Sequence, residues 1–225
     1  MRLYIIHGWT YTVKSWERTI ELLEQSGIHV TMLHVPGLTA PSDQVWTIED
    51  YVKWADDNIP DGSIALGHSN GGRILLNLLS QNPKKLRHLI LLNSAGIYEP
   101  SRKVHILRVL SKIFYILGKI KLLRRIIYKI IGAGDYNQAP PNMKKTLDNM
   151  LQSDRHLNIS TISTPTTIIW GEADTTTPLR QGRKIHSLLP NSSLIVEKNW
   201  PHAPYIKYPE SLAKTLTQAI KKVDQ

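Results

Sequence analysis

No cysteine occurs in the 225 residues. Disulfides, thiolate metal sites, iron–sulfur clusters and a cysteine nucleophile are excluded together. No stretch of 18 apolar residues free of charge is present, so no transmembrane helix is expected. The run Leu3–Ile6 behind Met1-Arg2 is too short for the apolar region of a secretory signal, and a cytoplasmic location is the expectation. Internal repeats and low-complexity tracts are missing. No grouping of His, Asp and Glu has metal-ligand spacing, so no metal is expected, and the chemistry read below needs no cofactor.

Acidic residues are unevenly missing. The formal net charge is +10, from 28 Lys+Arg and 18 Asp+Glu. Residues 1–100 carry 8 basic and 10 acidic side chains, whereas residues 101–131 carry 9 basic and none acidic. Nearly all of the excess therefore lies in one segment. The near-neutral remainder supplies no extended basic groove, and no nucleic-acid reader motif is visible. An apolar fraction of 41%, with six Trp and nine Tyr, argues for a packed core rather than disorder. The length fits one large domain or two small ones.

Short β-branched apolar runs alternate with longer amphipathic ones. Leu3–Ile6, Ile28–Leu33, Ile64–Leu66, Leu89–Leu92, Thr166–Trp170 and Leu194–Val196 read as strands of a sheet covered on both faces. Helices are expected over roughly 14–26, 47–58, 70–81, 179–188 and 208–222, with Thr47 and Asp50 capping the second. This alternation predicts an α/β fold with a mostly parallel sheet, whose ligands sit beyond the carboxyl ends of the strands. About seventy residues between Leu92 and Thr166 break the rhythm. Val104–Leu117 and Ile120–Ile131 read as amphipathic helices broken at Gly118, with Lys121, Arg124, Arg125 and Lys129 opposite the apolar face. Met143–Leu151 reads as a further helix. The expected organisation is a core of residues 1–96 and 161–225 with a helical cap, 97–160, inserted into it.

The segment Gly67-His68-Ser69-Asn70-Gly71-Gly72 runs from a strand into a helix. Gly-x-Ser-x-Gly in this context presents a serine hydroxyl from a sharp turn, and the small flanking residues let the backbone pack closely. The next amide, that of Asn70, lies at the helix N-terminus, where a developing oxyanion is stabilised. A phosphate-binding reading fails: Gly67 and Gly72 have P-loop spacing, but Arg73 and Ile74 stand where Lys and Ser/Thr are required. A dinucleotide fingerprint fails because Ser69 occupies its second glycine position.

A serine nucleophile needs a base, and the base needs an orienting acid. Asp174 follows the strand Thr166–Trp170, and His202 follows the strand Leu194–Val196. Both lie where the site should be. Glu172 is a nearby competitor for the acid. His202 competes with eight other histidines, of which His7 is expected to shape a turn and His68 to line the pocket.

With these residues in the order Ser69, Asp174, His202, the chain resembles the α/β-hydrolase-fold serine hydrolases. Further marks of the resemblance are His7-Gly8-Trp9 after the first strand, Val35-Pro36-Gly37, Asn93-Ser94-Ala95-Gly96 and Pro209. They cover residues 2–100 and 160–222. The resemblance implies a three-layer fold, a Ser69–His202–Asp174 triad and a second oxyanion amide at Trp9. Most members begin with two further strands. Their lack here implies a sheet of about six strands, all parallel.

The expected function is hydrolysis of a carboxylic ester or related acyl bond of a small molecule through an acyl-enzyme on Ser69. Carbon–carbon bond hydrolysis and acyl transfer on the same triad stay open. So does a different class, a non-catalytic module that meets a membrane or partner through the basic cap. Trp9, His68, Tyr98 and Tyr136 are candidates for the substrate-binding wall. The basic face of the cap is a candidate for contact with anionic lipid. Nucleic acid is not expected as a partner, and the oligomeric state is open.

Overall fold

The computed structural model describes residues 1–98 and 139–224. The two expected cap helices, with their basic face, and Tyr136 lie outside the described residues.

Each of the six apolar runs is a strand: β1 (Arg2–Ile6), β2 (His29–Leu33), β3 (Ser63–His68), β4 (Leu86–Leu92), β5 (Thr166–Gly171) and β6 (Ser192–Glu197). They form one sheet in the order β2-β1-β3-β4-β5-β6. Every pairing is parallel, as expected. β3 and β4 extend beyond their apolar cores because parallel ladders join backbones whatever the side chain.

The helices lie on the two faces of this sheet. They are α1 (Glu17–Gln25), α2 (Ile48–Asn58), α3 (Asn70–Gln81), α4 (Pro141–Ser153), α5 (Leu179–Leu188), α6 (Pro204–Lys207) and α7 (Pro209–Lys221). Thr47 caps α2: its side chain accepts from the Asp50 amide while the Asp50 carboxylate accepts from the Thr47 amide. A single expected helix over 14–26 is instead a short 3-10 turn, Lys14–Trp16, followed by α1.

The strand period of two sorts side chains onto the two faces. Leu3, Ile5, Ile64, Leu66, Ile90, Leu92 and Ile169 pack with Trp16 and Leu23 and with Leu212, Leu216 and Ile220 of α7. Ile6, Ala65, Leu89, Leu91, Ile168 and Trp170 pack on the other face with Tyr51, Val52, Leu75, Leu78 and Ile185. Helix α4 joins this second cluster through the buried Met143 and Met150. It is also tied to the loop before α2, where the Trp46 amide donates to Thr146 Oγ1 at 2.9 Å. The end of the expected insertion is thus packed into the core. Among the described residues no helix is long and apolar enough to cross a membrane.

Helix α5 meets the sheet at Gly182, where an added Cβ would lie 2.6 Å from the Trp170 ring. Alanine ordinarily favours a helix over glycine by about 1 kcal/mol. Here the overlap outweighs that gain, so Gly182→Ala is expected to destabilise the protein by about 1–3 kcal/mol. Urea unfolding reads this as a lower midpoint with unchanged slope.

Candidate active site

The turn from β3 to α3 is defined by close backbone approach. Added Cβ atoms would lie 2.5 Å from Gly72 Cα at Gly67, 2.0 Å from the Ile6 carbonyl at Gly71, and 2.0 Å from Ser94 Oγ at Gly72. Only glycine fits, and the chain between must turn sharply. Ser69 accordingly sits at φ 51°, a left-handed value that L side chains rarely adopt. Its backbone is held on both sides: its amide donates to the Leu92 carbonyl, and its carbonyl accepts from Gly72 and Ala95. The strained conformation is therefore over-determined, and the hydroxyl projects beyond the carboxyl end of the sheet.

The structure brings Asp174 and His202 to this hydroxyl. His202 Nε2 lies 2.9 Å from Ser69 Oγ, and Nδ1 lies 2.8 Å from Asp174 Oδ2. A carboxylate can only accept, so Nδ1 carries the proton. Nε2 is left bare and accepts from the serine hydroxyl. Glu172 is exposed and takes no part in this chain of hydrogen bonds.

Asp174 is buried, with its side chain fully shielded from solvent. Burial alone would raise its carboxyl pKa, but hydrogen bonds from His202 and Thr177 outweigh that and hold it below the ordinary aspartate range. Oδ1 accepts the amides of Thr176 and Thr177, and Oδ2 accepts the Thr177 hydroxyl at 2.7 Å. The carboxylate is thus kept charged and fixed in orientation.

Two residues hold Asp174 and the histidine loop in place that were assigned no site role from the sequence, where Asn93 entered only as part of the segment Asn93-Ser94-Ala95-Gly96. Asn93, at φ 44° and fully buried, donates from Nδ2 to the carbonyls of Pro201 and His202, both at 2.9 Å. Its Oδ1 accepts the Gly171 amide at 2.8 Å, so one side chain joins the ends of β4 and β5 to the His202 loop. Thr177 is the second: its amide and its hydroxyl both donate to Asp174.

His68 departs from expectation. It does not line the cleft: it is 2% exposed and packs edge-on against Trp16 and Tyr205. The reason is the alternation of β3, which turns position 68 toward the α1/α7 face. Its Nε2–H donates to the His202 carbonyl at 2.9 Å, making it a strut for the histidine loop. Tyr98 is exposed, with the Arg155 guanidinium 5.1 Å over its ring.

Asn70 follows the serine, and Gly8, the neighbour of Trp9, lies against it: an added Cβ at Gly8 would be 3.0 Å from Ser69 Cβ. Asn70 opens α3, so its N–H is one of the helix's unpaired amides. The His7 ring orients Trp9. Its Nδ1–H donates to the Gly8 carbonyl at 2.7 Å, and its Nε2 accepts from the Thr39 hydroxyl at 2.7 Å. In a trans peptide C=O and N–H point in opposite directions, so holding the Gly8 carbonyl toward His7 aims the Trp9 amide the other way. Among the described residues the buried indole Nε1 of Trp9 has no hydrogen-bond partner. Among the described residues no group of three His, Asp or Glu side chains is placed to hold a metal ion.

Residues 2–118 match a family model described as alpha/beta hydrolase fold. The chain is 25% identical to a pimeloyl-[acyl-carrier protein] methyl ester esterase of Neisseria meningitidis, over 94% of this chain and 90% of that protein. Among solved structures it is similar to an alpha/beta hydrolase enzyme from a sediment metagenome of the Mar Chica lagoon, with TM-score 0.70 and 22% identity over 100% of this chain and 92% of that one. A thermophilic esterase from Thermogutta terrifontis superposes with TM-score 0.71 and 16% identity, over 100% of this chain and 91% of the other.

Burial lowers the pKa of His7 to about 4 and that of His68 to about 3. Both are neutral in the folded protein at pH 5, whereas the unfolded chain protonates them below about 6.5. Unfolding at pH 5 therefore takes up about two protons from these groups, and by linkage stability falls as the pH drops from 7 toward 5. Urea unfolding at pH 7 and pH 5 is expected to show this loss, with part of it removed by His68→Gln.

Proposed function

This chain belongs to the alpha/beta hydrolase fold family, and we propose that it is a serine hydrolase that cleaves carboxylic esters through Ser69, His202 and Asp174. The single observation that carries the reading is the pair of hydrogen bonds at His202, 2.9 Å to Ser69 Oγ and 2.8 Å to Asp174. In this reading His202 Nε2 takes the hydroxyl proton as Ser69 Oγ attacks the ester carbonyl. The charge left on His202 is stabilised by the Asp174 carboxylate, which stays ionised throughout. Negative charge on the former carbonyl oxygen is met by the amides of Trp9 and Asn70, aimed before the reaction begins. Collapse of the tetrahedral intermediate expels the alcohol, which takes its proton from His202, and leaves an acyl group on Ser69. Water, deprotonated by His202, then attacks the acyl carbonyl, and collapse releases the acid and restores the serine. No step requires a cofactor.

Substrate choice, in this reading, belongs to the insertion at 97–160, which acts as a cap. The relatives named as methyl ester esterases of an acyl-carrier-protein-bound pimeloyl group make the methyl ester of a medium-length acyl chain the first substrate to test. The nine basic side chains of residues 101–131 then favour a negatively charged partner or surface near the site.

The test is labelling by a fluorophosphonate, which phosphonylates an activated serine. The parent protein is expected to label and Ser69→Ala to lose labelling while keeping its melting temperature within a few degrees. Methyl esters of rising acyl length are expected to be turned over by the parent and to lose at least about 10³-fold in kcat in Ser69→Ala. Absence of Ser69-dependent labelling in folded protein would sink the reading.

A further inference from the structure

Arg73 is the one charged residue within α3, which is otherwise apolar or weakly polar over Asn70–Gln81. It is 4% exposed. Its guanidinium makes a two-pronged ion pair with Asp154, Nε to Oδ1 at 2.7 Å and Nη2 to Oδ2 at 2.8 Å. A remaining donor, Nη1, is hydrogen-bonded to Asn70 Oδ1. Asp154 directly follows α4, where the chain returns from the insertion. Gly96, near where the chain leaves for it, packs on Arg73 as well: an added Cβ there would lie 3.2 Å from Arg73 Cα. The Arg73 guanidinium thus joins the return of the insertion to the residue next to Ser69, while the Arg73 backbone lies against Gly96.

A buried ion pair is weak evidence for stability, because desolvation offsets much of the attraction. The geometry of this one has a different consequence. Asn70 and Arg73 are three residues apart on one helix face, so their contact closes a bridge over the first turn of α3. The Arg–carboxylate fork has fixed planar geometry, which makes it an anchor for that bridge rather than a mobile charge. We propose that Arg73 and Asp154 are positioning residues for catalysis: they brace the Asn70 side chain and so hold the Asn70 amide on the oxyanion. They act through Asn70 and touch no reacting atom. The proposal rests on the reading of Ser69 as nucleophile.

The test uses the full chain with Asn70→Ala, the pair Arg73→Met/Asp154→Leu, and the triple variant. Replacing both partners by apolar residues leaves no buried charge unpaired, so the pair variant is expected to keep its melting temperature within about five degrees. Removing an oxyanion donor costs about 10²–10³ in kcat. Loosening one should cost about 10-fold, with KM for a short nitrophenyl ester changed less than about 2-fold. In the Asn70→Ala background the pair substitution should cost less than about 2-fold, because what it braces is gone. Arg73→Lys serves if the pair variant does not fold: an ammonium on a flexible stem lacks the rigid planar fork that spans both Asp154 oxygens and reaches Asn70, so the same drop in kcat is expected.

Full kcat in a folded pair or Arg73→Lys variant would overturn the proposal. So would an undiminished 10-fold loss in the Asn70→Ala background. Failure of the underlying reading has another signature, no Ser69-dependent fluorophosphonate labelling in the parent, and would overturn both.

Discussion

The close approach of three backbone segments at the Ser69 turn is the constraint from which the rest of the site follows. β3 ends, α3 begins, and β1 passes so near that Gly67 and Gly71 have no room for a Cβ, while the Ser94 side chain fills the space beside Gly72. The left-handed backbone at Ser69 is unfavourable in isolation. It persists because its amide donates to the Leu92 carbonyl and its carbonyl accepts from Gly72 and Ala95, which fixes both of its neighbouring peptides. The strain also has a product: the hydroxyl stands clear of the sheet while the first amides of α3 point to the same side.

Around that turn the polar groups are arranged in layers of increasing distance from the serine. Asp174 meets the imidazole of His202, and Thr177 with two amides meets Asp174. Asn93 and His68 meet the carbonyl of His202. Each buried donor in these contacts faces an acceptor, so the geometry is held by groups that would be costly to leave unpaired. His68 illustrates the difference between proximity in sequence and in space. It is adjacent to Ser69 along the chain, yet it braces the catalytic candidate's partner from behind the sheet.

Much of this was legible in the sequence, for reasons specific to each element. The six strands stand out because a sheet covered on both faces needs continuous β-branched runs, such as Thr166–Trp170. The α2 cap was readable because Thr47 and Asp50 have capping-box spacing. Ser69 was readable because glycines flank it in a pattern that few other structures require. Thr177, Asn93, Arg73 and Asp154 were not, because each acts through a partner distant in sequence or through a turn whose shape the sequence does not state. Arg73 and Asp154 are 81 positions apart and meet only after α4 has packed against the core.

The sequence by itself determined the layer order, the parallel sheet and which residue types carry chemistry, since periodicity and short-range glycine spacing are local properties. The assembly of Ser69, Asp174 and His202 into one hydrogen-bonded line was decided by the tertiary structure alone. Serine and histidine are separated by 133 positions. The sheet brings the ends of β3, β5 and β6 together, and only there does a lone histidine become distinguishable from the other eight. The face taken by His68 and the fork of Arg73 on Asp154 were decided at the same level, by which side of a strand or helix each residue falls on once packed.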